Sequence, residues 1–139
     1  MVDYSRELND LVFQALDHGV SIITDAGHMI PFVMVQDKNG VKNLHTFSTE
    51  TLEDGLQKAM EFVENQADNI IRYAVTWDGY VTISGENVDA ILVEAGESVS
   101  REGYIIGQRY AKQGVFKKKN KPVGNAIMIE KISSRVYRR

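Results

Sequence analysis

Four side chains in the sequence could form a polar ligand site: His28, His45, Glu94 and Arg109. His28 lies in a predicted turn and His45 in a predicted strand, whereas Glu94 and Arg109 fall in strands that read as central. A carboxylate and a guanidinium that are both partly buried are expected to pair, because an unpaired buried charge is costly. We therefore predict a contact between Glu94 and Arg109, interpreted first as structural. In the alternative, a cleft beside the pair binds an anionic or polar ligand.

The sequence carries no recognised catalytic motif. It has no cysteine and only three histidines, whose spacing is not that of metal ligands. It also lacks the Gly-x-Ser-x-Gly elbow, the phosphate-binding loop and the dinucleotide fingerprint. The catalytic residues are therefore unknown, and the sequence predicts neither a metal nor a cofactor. A small enzyme or ligand-binding protein stays open as an alternative function.

Charge is distributed unevenly along the chain. Residues 1–106 hold 6 basic and 18 acidic residues, whereas residues 107–139 hold 10 basic residues and 1 acidic residue. Such a split suits self-complementary docking, an acidic partner or nucleic acid. The basic patch consists of Lys117, Lys118, Lys119 and Lys121, which we interpret as a solvated loop. Nucleic-acid binding through the basic C-terminal third is the weaker alternative, since the sequence pI is about 5.6.

Hydrophobic periodicity predicts an α+β fold with two amphipathic helices and a mainly antiparallel sheet of roughly six to seven strands. The first helix is predicted from Ser5 to His18, with Gly19 ending it. A doubtful first strand follows at Val20–Thr24. The second helix is predicted from Ser48 or Thr49 to Asn65. The predicted order is α-β-β-β-α-β-β-β-β-β.

The predicted strands are short and joined mostly by tight turns. Asp78-Gly79 is the strongest hairpin signal, because both residues accept the backbone angles of a two-residue turn. Residues 113–121 are predicted as a long basic loop. The predicted strands after the doubtful one are 29–36, 41–47, 70–77, 80–84, 88–95, 104–111 and 125–132.

Both faces of the predicted sheet are apolar. If Asp78-Gly79 forms a hairpin, Tyr73, Val75, Trp77 and Tyr80 share one aromatic face. Two helices of about four turns are expected to cover one face and leave the other bare. We therefore predict that these four residues pack against a second subunit, a partner or a ligand. The alternative is that the helices lie on opposite faces, or that the sheet curls on itself.

The chain is predicted to be a single α+β domain over residues 1–132, with a frayed C-terminal tail over residues 133–139. No signal peptide and no apolar run of about 20 residues is visible, so we expect a cytoplasmic protein without a membrane partner. The function is unknown from motifs. The leading interpretation is a non-catalytic interaction protein, such as an adaptor, chaperone or immunity-like protein. Its expected partner is a second copy, forming a homodimer, or another protein.

Overall fold

A computed structural model describes residues 4–138 as two helices and a seven-stranded antiparallel sheet, which confirms the predicted α+β class. The elements are α1 Arg6–Ala26, β1 Phe32–Asp37, β2 Lys42–Thr46, α2 Leu52–Asn65, β3 Ile70–Ile83, β4 Glu86–Glu97, β5 Glu102–Gln113, β6 Lys119–Pro122 and β7 Ile127–Ser133. The strand order is β2-β1-β3-β4-β5-β6, and β7 pairs with β5 beside β6.

Helix α1 is longer than predicted and absorbs the doubtful strand at Val20–Thr24. It starts at Ser5, whose hydroxyl accepts a hydrogen bond from the backbone of Leu8, and it ends at Gly27 in the left-handed conformation. Gly19 is therefore not the cap. It lets the helix approach the sheet closely, since a Cβ there would lie 2.9 Å from a methyl group of Ile91. Burial of this face of α1 against the sheet outweighs the strand propensity of Val20–Thr24.

Strand β3 runs without a break through Asp78-Gly79, so the predicted hairpin at these residues is wrong. Trp77 and Tyr80 pair with Leu92 and Asp89 of β4 and not with each other. The turn lies instead at Ser84-Gly85, where both residues have positive φ. Pairing across the whole length of β4 outweighs the local turn signal.

The two helices lie on opposite faces of the sheet, so the prediction that both cover one face is wrong and the alternative arrangement holds. We call these the α1 face, on which Ala74 and Ala95 lie, and the α2 face, on which Val75 and Glu94 lie. Helix α1 packs against β3, β4 and β6, whereas α2 packs mainly against β1 and β3. With 14 residues, α2 is about 21 Å long, while β3 spans about 46 Å. The second half of β3 therefore extends beyond α2.

The C-terminal segment is anchored, in contrast to the frayed tail predicted for residues 133–139. Val136 is fully buried in the core beneath α2, and Ser134 donates a hydrogen bond to the backbone oxygen of Glu97. The backbone of Arg138 also bonds to that of Ser98. Residue 139 lies outside the described residues. Val136 of this segment thus forms part of the core beneath α2.

Candidate functional site

An apolar groove opens on the α2 face where the sheet continues past helix α2. We define the apolar groove by Trp77 and Val81 of β3, Leu92 of β4, Ile105 of β5, and Ile127 and Ile129 of β7. Its volume is about 540 Å³. The registers Trp77 to Leu92, Leu92 to Gly107 and Gly107 to Ile127 place one row of these residues side by side across four strands.

Gly107 shapes the floor of the apolar groove. A Cβ at this position would lie 2.9 Å from Ile129 Cδ1 and 3.1 Å from Leu92 Cδ2. The absence of a side chain therefore lets Ile129 lie across β5. Of the side chains lining the apolar groove, Glu130 alone carries a charge. Such a surface offers an apolar partner a large contact area and gives a polar substrate little to bind.

The four predicted interface residues separate into two pairs. Tyr73 and Val75 are fully buried beneath α2, so neither can form the predicted contact with a second subunit or ligand. Trp77 lies at the border between the core and the apolar groove and is half-buried. Tyr80 borders the apolar groove and is exposed, but because β3 runs unbroken through Asp78-Gly79 its side chain alternates to the α1 face, so the predicted shared face is wrong for Tyr80. Of the four predicted residues, only Trp77 therefore offers accessible surface on the α2 face.

Glu94 pairs with Arg135, not with the predicted Arg109. The Glu94 carboxylate is almost fully buried and accepts hydrogen bonds from Arg135 Nε at 2.7 Å, Arg135 Nη2 at 3.1 Å and the Tyr73 hydroxyl at 2.8 Å. Arg135 also contacts Glu64 of α2. These contacts with Glu94 raise the pKa of Arg135, and burial raises the pKa of Tyr73. The cluster ties the C-terminal segment to α2 and the sheet.

The predicted ligand site of His28, His45, Glu94 and Arg109 is not assembled. His45 and Glu94 lie in one row across the sheet, but Val33 and Val75 stand between them, which separates them by about 14 Å. Arg109 lies four residues further along the neighbouring strand from Glu94, a comparable distance. His28 is exposed in the loop after α1, where its ring contacts the backbone oxygen of Ala26.

Two other titratable groups of the sheet, Asp78 and Glu97, are bound by neighbouring side chains. The Tyr110 hydroxyl donates a hydrogen bond to Asp78 at 2.6 Å. Burial raises the pKa of both groups. Glu97 is buried and accepts hydrogen bonds from Ser5 at the start of α1 and from Arg72 of β3. Within residues 4–138, no three His, Asp or Glu side chains cluster in a way that could hold a metal ion.

The basic patch lies on a β-hairpin, in contrast to the long loop predicted for residues 113–121. Strands β5 and β6 pair from Tyr110–Pro122 to Gln113–Lys119, and residues 114–118 form the tip. Lys117, Lys118, Lys119 and Lys121 are exposed, and within the described residues none forms a salt bridge. The patch is therefore free to meet an external anion.

Sequence reasoning missed Arg135 and the contribution of β7 to the apolar groove. Arg135 falls in the predicted frayed tail, although Val136 beside it is an apolar residue among basic ones. Ile127-Met128-Ile129 is apolar at three successive positions, which suggests burial on both sides of a strand. All three are exposed in the structure because β7 is an edge strand. Only the sheet order shows this.

No helix between residues 4 and 138 is long and apolar enough to cross a membrane. Comparison of the chain with protein-family models, with curated proteins and with solved structures gives no match.

Proposed function

We propose that this chain is a non-catalytic interaction protein that forms a homodimer through the apolar groove. The observation that carries the proposal is the incomplete cover of the α2 face, since α2 packs mainly on β1 and β3 and leaves Trp77, Ile127 and Ile129 accessible. A contiguous apolar surface of this kind usually marks an interaction site. Aromatic residues such as Trp77 are enriched in interface cores.

Symmetry makes a second copy a suitable occupant. A two-fold interface places the same surface of both copies in contact, so the apolar groove of one copy would cover that of the other. The lining of the apolar groove has Glu130 as its one charged side chain, so the two copies would meet over mostly apolar area.

The geometry gives the alternative functions less support. An acid–base or ligand site would need His45, Glu94 and Arg109 to share a cleft, but buried valines and about 14 Å separate the first two. The apolar groove contains Glu130 as its one charged side chain. Recognition by apolar surface, the mode of adaptors and chaperones, is the function that these contacts fit best.

Sedimentation of the wild-type chain and two matched variants tests this proposal. Ile127 in the apolar groove and Leu44 on the distant edge strand β2 are both strand residues that are 40% exposed. We expect the wild type to be a dimer at micromolar concentration, Ile127→Lys to be a monomer, and Leu44→Lys to match the wild type. A lysine amine placed between two apolar surfaces would be buried without a partner.

Trp77 provides a second readout, because it is the sole tryptophan of the chain and lines the apolar groove. Dilution that dissociates the dimer should expose Trp77 and shift its fluorescence to longer wavelength. A wild-type chain that stays monomeric at about 100 µM, with fluorescence independent of concentration, would refute the homodimer. Urea unfolding of both lysine variants confirms that each is folded before its mass is compared.

A further inference from the structure

The tip of the β5–β6 hairpin combines the most exposed apolar side chains of the described chain with a ring of cations. Val115 is 88% exposed and Phe116 is 98% exposed. Residues 107–129 contain five lysines and one arginine and no acidic residue. An apolar pair held in water at the end of a hairpin has no role in the folded core. Its position points to a partner outside the chain.

The lysines surround the tip on both sides of the hairpin. Lys112 pairs with Asn120, and Asn120 is buried against the end of α1, so Lys112 lies on the α1 side. Lys119 and Lys121 alternate with Asn120 and therefore point to the other side. Cations on both sides of a ribbon cannot all contact one linear polyanion, whereas all of them can reach a plane that the tip enters.

We propose that this hairpin tip docks on an anionic lipid surface. Val115 and Phe116 enter the boundary between headgroups and acyl chains, and the lysine amines reach the surrounding lipid phosphates along their flexible stems. Nucleic acid fits the tip less well, because a single-strand site combines a basic groove with several aromatic platforms, and the tip has one aromatic ring beside an aliphatic residue. This surface is separate from the apolar groove and departs from the sequence expectation of no membrane partner.

Vesicle flotation with the full chain tests the electrostatic part. We use phosphatidylcholine vesicles with and without roughly one-third phosphatidylserine at low salt. The wild type should bind the anionic vesicles alone. Replacing two tip lysines, in the variant Lys117→Gln with Lys118→Gln, should weaken binding by about 25-fold, since each lysine contributes roughly fivefold. The matched variant Lys38→Gln with Lys131→Gln removes the same charge from other exposed positions and should bind like the wild type.

Serine variants test the insertion of the tip. Phe116→Ser should weaken vesicle binding by about tenfold or more, whereas Phe13→Ser, which alters an exposed phenylalanine of α1, should leave it unchanged. Full exposure of Phe116 means that its replacement leaves the fold intact. The proposal is overturned if the wild type binds neutral and anionic vesicles equally or neither. It is also overturned if a single-stranded oligonucleotide binds and displaces the vesicles, or if Phe116→Ser binds like the wild type.

Discussion

Replacing Arg135 by methionine removes the cation from the buried Glu94 while keeping most of the side-chain length. The Glu94 carboxylate is 4% exposed and would keep the Tyr73 hydroxyl as its one hydrogen-bond donor. Breaking a buried ion pair at one end typically costs about 3–5 kcal/mol. Because the Arg135 side chain is 30% exposed, water can enter the vacated space, and we expect the lower end, about 3 kcal/mol.

A second C-terminal arginine supplies the control. Arg138 contacts Asp68 at 3.0 Å, but both side chains are largely in solvent, so Arg138→Met should cost about 0–0.5 kcal/mol. Arg109→Met should likewise leave the Glu94 cluster intact, since the two residues do not meet. The double variant Glu94→Gln with Arg135→Met buries no charge and should recover about 2 kcal/mol relative to the sum of its single variants.

Urea unfolding at neutral pH measures these differences. With a slope of about 1.5 kcal/mol per molar urea, Arg135→Met should lower the midpoint by about 2 M. If the free energies of unfolding of Arg135→Met and Arg138→Met lie within about 0.5 kcal/mol of each other, the buried Glu94 carboxylate does not hold the C-terminal segment, and the prediction is wrong.

Three further predictions concern stability. Ser84→Asn should raise the free energy of unfolding by about 0.5–1 kcal/mol in urea titrations, since Ser84 has φ 51° in the β3–β4 turn and asparagine adopts this conformation more readily; no gain would contradict the turn argument. Gly19→Ala should cost about 0–2 kcal/mol, because its clash with Ile91 costs about 1–3 kcal/mol while alanine gains about 1 kcal/mol in helix propensity; stabilisation by about 1 kcal/mol would show that the sheet yields. Stability should fall above about pH 10 by roughly 1.4 kcal/mol per pH unit for each buried tyrosine. Burial raises the pKa of Tyr73, Tyr104 and Tyr110, so the folded state keeps protons that the unfolded state has lost. Urea midpoints at rising pH measure this loss of stability, and an unchanged midpoint would contradict it.

Local patterns predicted the class of fold because burial repeats along each element. The apolar stripe from Leu8 to Leu16 indicated α1. The turn after Asp37 was also predicted, and the Asp37 carboxylate stabilises it by accepting hydrogen bonds from the backbone of Asn39 and Val41. The predicted end of α1 was too early because Gly19 resembles a C-terminal cap. Whether a glycine ends a helix or lets it approach a sheet depends on a neighbour such as Ile91, which is distant in sequence.

The candidate site could be predicted only in part. The sequence predicted that both helices cover one face, but they lie on opposite faces, and α2 buries Tyr73 and Val75. Strand alternation cannot tell which end of β3 a helix will cover. The partner of Glu94 was missed for a similar reason, since Arg135 lies 41 residues away and reaches Glu94 only after the chain has closed over the α2 face.

The unequal cover of β3 divides one continuous strand into parts with different freedom to open. Its first half lies beneath α2, while its second half carries no helix on that side. Backbone amides of the first half should exchange with deuterium only when the whole domain unfolds, whereas those near Ile83 should exchange by local separation of β3 from β4. A partner bound on the open half would slow exchange there and extend the rigid part of the strand to its full length.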